Sequence, residues 1–383
     1  MDTTLSLVCE LAPTIRKRAD EIEQARRVPA DIVEALARAG ALRMLVPAAY
    51  GGDELPFETV LRVVEELAVA DGSTGWLVGQ ICLSQLIFAA LPDRARAEIY
   101  AHGPDVFGAG AVAPKGRAAP DGEGGWRVNG QWPFVTGAPQ SSWVYLNCVV
   151  LDGHRPQVTA DGVPLTRIVV VPAAELEIID TWQVLGLRAT ASQDVRAPAL
   201  TAPDWRGFSL VDDTPQVRRA VFAFALAGLL ISAVGLGLAS GAVGEVAELA
   251  AAGKRRAFSP RSMAASPVFQ DRLGEAYVTV RAARALLTAE ARTAWAAMTS
   301  GEAASPMDRA CLRATASRIT ALATEAIDTA HALAGGQSVY DGAPLQRRLR
   351  DIHTATQHFV NGRDFFATVG ALLAGEEVDS ARF

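Results

Sequence analysis

Several side chains near the C-terminal end have types and spacing that could support acid–base chemistry. In a helix, Asp351, Thr354 and His358 would share one face because they are spaced by three and four residues. An imidazole titrates near neutral pH, so it can accept a proton from a phenol or donate one to an oxygen atom. His353 lies five residues before His358, which places it about 140° away around a straight helix. The two histidines therefore cannot both face one pocket.

Glycine patterns typical of other chemistries are present but lie in the wrong context. Residues 108–113 (GAGAVA) loosely match a dinucleotide-binding fingerprint, yet Pro114 and Pro120 follow where that fold needs a helix. Residues 235–240 match it again but lie inside a predicted helix. The sequence contains no P-loop, no His-Glu-x-x-His pair and no Gly-x-Ser-x-Gly elbow. We therefore do not expect classical nicotinamide, phosphoryl-transfer or serine-hydrolase sites.

Composition and charge limit the class of partner. The chain has 383 residues, half of them hydrophobic, and its net charge is -6. Without a basic block, nucleic acid and anionic membrane are not expected as the main partner. The four cysteines lack a Cys-x-x-Cys pair, which argues against a zinc site or a disulfide framework. Residues 1–18 show no secretory signal, so we expect a cytoplasmic protein that binds a small molecule or another protein.

Helical and extended patterns divide the chain into three predicted domains. Apolar residues spaced by three and four predict an all-helical domain over residues 1–104. Residues 105–212 are rich in Gly, Pro, Val, Trp and Thr, and their short runs predict a small β-barrel or sandwich with a hairpin turn at residues 122–125. Helical periodicity returns over residues 213–383 and predicts a four-helix bundle. The four stretches are about 215–252, 266–300, 305–334 and 344–374.

The first of these stretches includes twenty residues without a charge, residues 221–240, which is long enough to span a bilayer. The surrounding helical segments carry many charges, and there is no second apolar span. An all-round apolar helix is also what the centre of a large bundle needs. We therefore predict a buried core helix rather than a membrane span.

The order of the three predicted domains resembles that of the acyl-CoA dehydrogenase fold. Three sequence segments agree with this resemblance, which extends across nearly the whole chain. Residues 129–137 (NGQWPFVTG) are similar to the family segment that lays a strand beside the flavin ring, where Thr136 would face flavin N5. Residues 182–195 (WQVLGLRATASQDV) look like a second signature, near flavin and substrate. Residues 255–258 (RRAF) resemble an Arg-x-x-Phe element whose arginine reaches a flavin phosphate across a subunit boundary. The resemblance implies a mainly α fold with a central β domain.

The same resemblance implies a set of cofactor-binding residues. A strand threonine offers both a donor and an acceptor, and the planar fork of an arginine suits phosphate oxygens. Further positions resemble those where the neighbouring chain meets the cofactor. The implied set is Thr136, Gly137, Arg188, Thr190, Ser192, Arg255, Phe258, Gln270, Gly335 and Gly336.

The chain departs from the dehydrogenase pattern where that reaction needs a base. The family's Glu is missing, because residues 350–362 contain none and the other known position, at about 225–231, has no acid. Base-dependent dehydrogenation is therefore not expected. His358 stands one position before the missing base, which resembles the branch of two-component reduced-flavin-dependent monooxygenases. The run WPFVTG at residues 132–137 also looks like that branch.

This branch implies two catalytic residues. In it, a histidine at the place of His358 acts on a substrate hydroxyl or steadies a flavin hydroperoxide, and a hydroxyl at Thr136 supports the C4a adduct. We predict His358 as catalytic, with His353 as the second candidate. Trp76 and Phe134 are expected to line the substrate pocket with His358, and Ser73 is expected to cap the helix that carries Trp76.

The predicted function is a flavin-dependent monooxygenase that uses O2 and reduced FMN or FAD to hydroxylate a small aromatic or polyketide-like natural-product substrate. A separate NAD(P)H-dependent flavin reductase is implied as the flavin supplier, and the cross-subunit arginine implies a homotetramer, or at least a dimer. Alternatives are an N- or S-oxygenase, a dehydrogenase with a relocated base, and a catalytically silent relative that only binds a ligand.

Overall fold

The first part of the chain is helical in the computed structural model, which describes residues 3–160, 162–212, 214–255, 261–300 and 304–378. A proline stands directly before three of these helices, where its missing N–H costs no helical hydrogen bond. The elements are α1 (Thr3–Lys17), α2 (Ala19–Ala25), α3 (Ala30–Arg38), α4 (Phe57–Ala70), α5 (Gly72–Phe88) and α6 (Asp93–Ile99).

The middle of the chain forms one mixed sheet with strand order β6-β7-β2-β1-β3-β5-β8, and β4 pairs with β3. β1 and β3 run parallel, and the other paired strands run antiparallel. The strands are β1 (Gly108–Pro120), β2 (Gly125–Val135), β3 (Trp143–Asp152), β4 (Arg155–Pro156), β5 (Thr166–Pro172), β6 (Glu177–Ile179), β7 (Gln193–Pro203) and β8 (Gly207–Ser209).

The predicted hairpin turn joins β1 to β2. A carboxylate oxygen of Asp121 accepts from the backbone N–H groups of Glu123 and Gly125, at 2.7 and 2.8 Å. Gly122 and Gly124 have φ values of 88° and 90°, which only glycine adopts without strain. The turn prediction is therefore confirmed.

The first glycine-rich pattern, at residues 108–113, lies inside β1 and opens no helix. Gly110 is needed there for close packing, because a Cβ atom at this position would lie 2.3 Å from the ring of Tyr145 on β3. The rejection of a dinucleotide-binding loop at this segment is confirmed.

The last part of the chain is a helical bundle. Thr214 caps the first bundle helix by accepting from the N–H of Val217, and Ser305 forms a capping box with Asp308 at the start of the third. The helices are α7 (Pro215–Ala251), α8 (Pro267–Ser300), α9 (Pro306–Ala334), α10 (Pro344–Ala355) and α11 (Asp364–Leu373).

The apolar helix α7 lies at the centre of the bundle. Among the described residues it is the one helix long and apolar enough to cross a membrane, and 83% of its most apolar window is buried inside the protein. Its glycines allow close approach of neighbouring helices: a Cβ at Gly237 would lie 2.3 Å from the carbonyl oxygen of Glu65 on α4. The prediction of a buried core helix is confirmed.

The prediction of one continuous fourth helix over residues 344–374 is wrong. α10 ends at Ala355, a short turn covers Phe359–Asn361, and α11 begins at Asp364. The side-chain amide of Asn361 donates to the carbonyl oxygen of Ala355 at 2.9 Å, and the carbonyl oxygen of Asn361 accepts from Ser317 on α9 at 3.0 Å. These contacts satisfy the end of α10 and hold the turn against α9, so the chain leaves the helix before His358.

Candidate active site

The segment after β2 holds the first predicted site residues, Thr136 and Gly137. The N–H of Gly137 donates to the carbonyl oxygen of Thr190 at 2.9 Å, which joins this segment to the turn before β7. Gly137 has a φ of 71°, and a Cβ there would lie 2.6 Å from the ring of Phe107. Glycine is therefore required to bring Thr136 beside the second motif.

Three hydroxyl groups from the two motifs form a hydrogen-bonded row, which we call the hydroxyl row: Thr136, Ser192 and Thr190. Thr136 Oγ1 lies 2.9 Å from Ser192 Oγ, and Ser192 Oγ lies 2.8 Å from Thr190 Oγ1. Thr190 Oγ1 donates to the carbonyl oxygen of Leu187 at 2.9 Å. Thr136, Ser192 and Thr190 are 8%, 4% and 0% exposed. The structure therefore brings together residues 56 positions apart in the sequence, as the two motifs predict.

Trp76 on α5 adds a donor to this row. Its indole Nε1–H donates to Thr136 Oγ1 at 3.3 Å, and the side chain is buried. The expectation that Ser73 caps α5 is wrong: the cap is Asp71, whose carboxylate accepts from the N–H of Thr74 at 2.7 Å and from its hydroxyl at 2.8 Å. Burial raises the pKa of Asp71.

His358 lies against Trp76, although it stands outside a helix. The two rings meet edge to face with centroids 5.7 Å apart, and the imidazole stacks on Phe359 at 4.7 Å. Nδ1 accepts from the N–H of Val360 at 3.4 Å, so the neutral ring carries its proton on Nε2. Burial among these groups lowers the pKa of His358 to about 4. The imidazole is therefore neutral at physiological pH.

His353 is directed elsewhere. Its Nε2 lies 2.9 Å from the carboxylate of Asp328 on α9, and the two side chains are 44% and 50% exposed. The helical spacing argument was right to separate the two histidines but wrong in its geometry, because His358 is not on the helix that carries Asp351 and Thr354. Thr354 Oγ1 donates to the carbonyl oxygen of Arg350 within α10.

A buried carboxyl on α10 holds the second motif in place. Asp351 Oδ1 accepts from the N–H of Leu187 at 2.6 Å, and a Cβ at Gly186 would lie 2.3 Å from the backbone of Arg350. Burial, with the nearby Asp71 carboxyl adding to it, raises the pKa of Asp351 to about 7. The carbonyl oxygen of Leu187 in turn accepts from Thr190, so Asp351 supports the hydroxyl row through one peptide unit.

Ion pairs fix α10 on its other side. Arg350 pairs with Glu23 on α2 at 2.5 Å and donates to the carbonyl oxygen of Leu185 at 2.9 Å. Arg347 contacts Glu23 at 3.0 Å and also pairs with Asp20. These arginines therefore join α10 to α2 and to the loop before the hydroxyl row.

Phe134 lies on β2, two residues before Thr136. Its φ is 63°, an uncommon value for a residue with a side chain, and the ring is 69% exposed beside Trp182, at 6.1 Å between centroids. Leu187 and Ala191 also have positive φ values, of 52° and 46°. Strained backbone of this kind is typical of functional sites. Arg188 is exposed in the same turn.

Arg255, another predicted cofactor residue, lies away from the hydroxyl row on the same chain. Arg255 follows the C-terminal end of α7. Leu230 of that helix packs beside α5, since a Cβ at Gly79 would lie 3.7 Å from its side chain. Trp76, which contacts Thr136, stands between Gly79 and Gly72, and Gly72 lies beside Leu238, so at 1.5 Å per residue α7 continues for roughly 20–30 Å before it ends at Ala251. Phe258 lies outside the described residues. The remaining predicted cofactor residues, all exposed, are Arg255, Gln270, Gly335 and Gly336.

The residues at the hydroxyl row fit the edge of a planar polar ring. The exposed Phe134 and the half-buried Trp182 provide apolar surface beside a line of hydroxyl oxygens. A flavin ring has this combination of an apolar face and hydrogen-bonding edge atoms. Thr136 and Gly137 would therefore hold such a ring, with Ser192 and Thr190 behind them.

Sequence reasoning missed how much Asp71, Gly186 and Asp351 contribute to this site. Two of them contact residues far away in the sequence: Leu187 and Asp351 are 164 positions apart. For Asp351 one signal was available, its spacing of three and seven residues from Thr354 and His358, but nothing local identifies Leu187 as its partner.

Comparison with protein families gives matches at both ends of the chain. Residues 10–96 match the model of the acyl-CoA dehydrogenase N-terminal domain, and residues 229–362 match the model of the acyl-CoA dehydrogenase C-terminal domain. Together these matches cover more than half of the 383 residues.

Individual relatives match over nearly the full length. Indole-3-acetate monooxygenase from Pseudomonas putida is 30% identical, over 94% of this chain and 91% of the relative. The FADH(2)-dependent resorcinol hydroxylase, oxygenase component, from Rhizobium sp. (strain MTP-10005) is 29% identical, over 97% and 93%. The solved structure of XiaF from Streptomyces sp. in complex with FADH2 and glycerol is 26% identical, with a TM-score of 0.87 over 98% of this chain and 95% of that one.

Proposed function

This chain belongs to the acyl-CoA dehydrogenase family, and from that premise we propose that it is the oxygenase component of a two-component flavin-dependent monooxygenase. The enzyme uses reduced flavin and O2 to hydroxylate a small aromatic substrate. Its relatives include named monooxygenases for indole-3-acetate and resorcinol, and one of them is named as an FADH(2)-dependent oxygenase component. We propose aromatic or polyketide-like natural products as the substrate class.

One observation carries the proposal: Trp76 contacts both Thr136 and His358. The indole N–H bonds to the threonine hydroxyl at 3.3 Å while the ring edge meets the imidazole, with centroids 5.7 Å apart. A hydroxyl suited to a flavin edge and a neutral imidazole thus face one space. A relative that only bound a ligand would have no need to keep these two groups together.

Thr136 and Gly137 hold the flavin ring, and bound reduced flavin supplies the electrons that activate O2. Ser192 and Thr190 keep the Thr136 hydroxyl in place because each is hydrogen-bonded to the next. The buried Trp76 and Phe107 keep water away from the ring edge.

His358 positions the substrate oxygen. Nδ1 accepts from a backbone N–H, so the Nε2–H of the neutral ring is free to donate to a phenol or phenolate oxygen. Because the pKa of the imidazole is about 4, the ring stays neutral and presents the same donor from pH 5 upward. The aromatic rings of Trp76 and Phe359 around it favour a flat, apolar substrate body. We assign Phe134, exposed beside Trp182, to the mouth of the same pocket.

The assembly follows from the residues that lie far from the hydroxyl row. On one chain Arg255 lies far along α7 from Thr136, so we propose that a second copy supplies it, together with the exposed Gln270, Gly335 and Gly336, to the flavin phosphate end in a homotetramer. Arg188 lies exposed near the ring and serves the same cofactor. Phe258, outside the described residues, is assigned with Arg255.

We propose that a separate NAD(P)H-dependent flavin reductase supplies the reduced flavin. Relatives carry the name oxygenase component, and the glycine-rich segment most similar to a dinucleotide loop is a strand here. A cytoplasmic location would give both proteins access to NAD(P)H.

The test is anaerobic titration of the purified protein with photoreduced FMN and FAD, followed by mixing with O2 and an aromatic substrate panel that includes resorcinol and indole-3-acetate. Tight binding of reduced flavin, with more hydroxylated product than hydrogen peroxide, supports the proposal and names the flavin. Tight binding of oxidised FAD with no O2-dependent product would instead indicate a dehydrogenase. Failure to bind either flavin would indicate a silent relative.

A further inference from the structure

The hydroxyl row has one arrangement of its protons that satisfies every group in it. A carbonyl oxygen can only accept, so the Thr190 proton points to Leu187 at 2.9 Å. Ser192 must then donate to Thr190, and Thr136 must donate to Ser192. The Trp76 N–H donates to the Thr136 oxygen. All protons of the row therefore point away from the open end, and Thr136 keeps only lone-pair electrons for a further partner.

The reverse arrangement is unfavourable at both ends of the row, although the Leu187 carbonyl oxygen would still accept from Trp182 Nε1 at 3.0 Å. With every proton turned outward, Thr190 Oγ1 and the Leu187 carbonyl oxygen would face each other at 2.9 Å without a proton between them. The Thr136 proton would point out of the protein and would need an acceptor from outside. Because the three hydroxyls are at most 8% exposed, water offers little compensation. The inward arrangement is the stable one in the free protein.

We propose that Thr190 and Ser192 set the oxidation-state preference of the flavin site by holding the Thr136 hydroxyl as a hydrogen-bond acceptor. This inference rests on the proposed function, with Thr136 facing flavin N5 as the family resemblance implies. Reduced flavin carries a hydrogen on N5 and can donate to such an acceptor, whereas oxidised flavin presents a lone pair there and meets a second lone pair. Thr190 has no exposed surface, so it is a positioning residue that acts through Ser192 and Thr136.

The central variant is Thr190→Val, which removes the hydroxyl and keeps the branched shape. Leu187 keeps a side-chain donor, because Trp182 Nε1 also donates to its carbonyl oxygen at 3.0 Å. Ser192 loses its acceptor and turns its proton toward Thr136, whose own proton then points to the flavin. The matched control is Thr190→Ser, which retains the hydroxyl and with it the inward arrangement.

The measurement is the dissociation constant of the same flavin in its reduced and oxidised forms, anaerobically and aerobically. We expect the wild type and Thr190→Ser to prefer reduced flavin, and Thr190→Val to lose about three- to tenfold of that preference. A tenfold change in the ratio of the two constants corresponds to about 30 mV in the potential of the bound flavin. A general loosening of the fold would weaken both forms alike and leave the ratio unchanged.

Ser192→Ala gives a second, nearly isosteric test, since it removes the only acceptor in the row for the Thr136 proton. It should lower the same ratio. Equal affinity of the wild type for the reduced and oxidised forms would overturn the inference and leave the proposed function intact. The same conclusion would follow if a variant, Thr190→Val or Ser192→Ala, binds flavin with the same ratio of the two constants as the wild type. No binding of either form by the wild type would overturn the proposed function, and the inference with it.

Discussion

Replacing Asp351 by asparagine should change how the stability of the protein depends on pH. Asparagine keeps an oxygen to accept from the N–H of Leu187, so the loop before the hydroxyl row stays attached to α10. What the variant removes is a carboxyl that is buried beside Asp71 and near Glu23, with Arg350 as the nearby positive charge. The substitution therefore separates the hydrogen bond from the ionisation.

The magnitude follows from the raised pKa. In the unfolded chain the Asp351 carboxyl loses its proton near pH 3.8, whereas in the folded protein it keeps the proton to about pH 7. Between these values folding requires uptake of a proton, so the free energy of unfolding of the wild type falls as pH rises, by about 1.4 kcal/mol for each pH unit. Above about pH 7 the loss is complete. Asp351→Asn lacks this loss, so from pH 5 to pH 8 its stability relative to the wild type should rise by about 2–3 kcal/mol.

Urea unfolding followed by tryptophan fluorescence, at one protein concentration and at pH 5, 6, 7 and 8, measures this difference. Asp152→Asn, at an exposed aspartate on β3, is the matched control and should show a difference that does not depend on pH. A pH-independent difference for Asp351→Asn, or one that falls toward pH 8, would refute the argument that burial keeps this carboxyl protonated.

Three further predictions concern the site itself. His358→Asn should keep flavin affinity but lower the yield of hydroxylated product per flavin oxidised by about 100-fold or more, measured against hydrogen peroxide released; an unchanged yield would contradict the donor role. In the wild type that yield should show no titration of His358 between pH 5.5 and 8, since the pKa of the imidazole is about 4; a transition near pH 6.5 lost in His358→Asn would contradict this. Gly186→Ala should destabilise the protein by about 1–3 kcal/mol, measured by urea unfolding, because the added Cβ would lie 2.3 Å from the backbone of Arg350. Gly274→Ala, at an exposed position with nothing within 4 Å of the added Cβ, is the control and should not destabilise the protein. Equal effects of the two substitutions would argue against the close contact at Gly186.

Local sequence signals predicted the elements but not their interruptions. Prolines at positions 29 and 92 mark the starts of α3 and α6, and two glycines at positive φ mark the β1–β2 turn. The break after Ala355 has a single local signal, the pair Asn361-Gly362, which stands six residues beyond the end of α10 and does not mark where the helix ends. It depends on Asn361 and on its contact with Ser317 on another helix, which only the folded chain brings together.

The site was predictable where it consists of motifs and not where it consists of long-range contacts. The two segments that contain Thr136 and Ser192 could be identified from their residues, and the structure brings them within hydrogen-bonding distance. The acceptor for the N–H of Leu187 could not be identified, because a single hydrogen bond between residues 164 positions apart leaves no periodic trace. Likewise, the cap of α5 was assigned to Ser73 because serine is a common cap, whereas Asp71 occupies that position in the structure.

The position of α10 has a consequence for redesigning the substrate range. Asp351 on this helix anchors the loop that carries the hydroxyl row, and His358 follows the same helix seven residues later. One residue added or deleted within α10 after Asp351 would turn the rest of that helix by about 100° and move the imidazole away from Trp76. The length of this seven-residue span therefore sets the position of His358 relative to the hydroxyl row. Substitutions intended to admit a larger or smaller substrate belong on α5, whose Trp76 contacts both Thr136 and His358, because they leave this span unchanged.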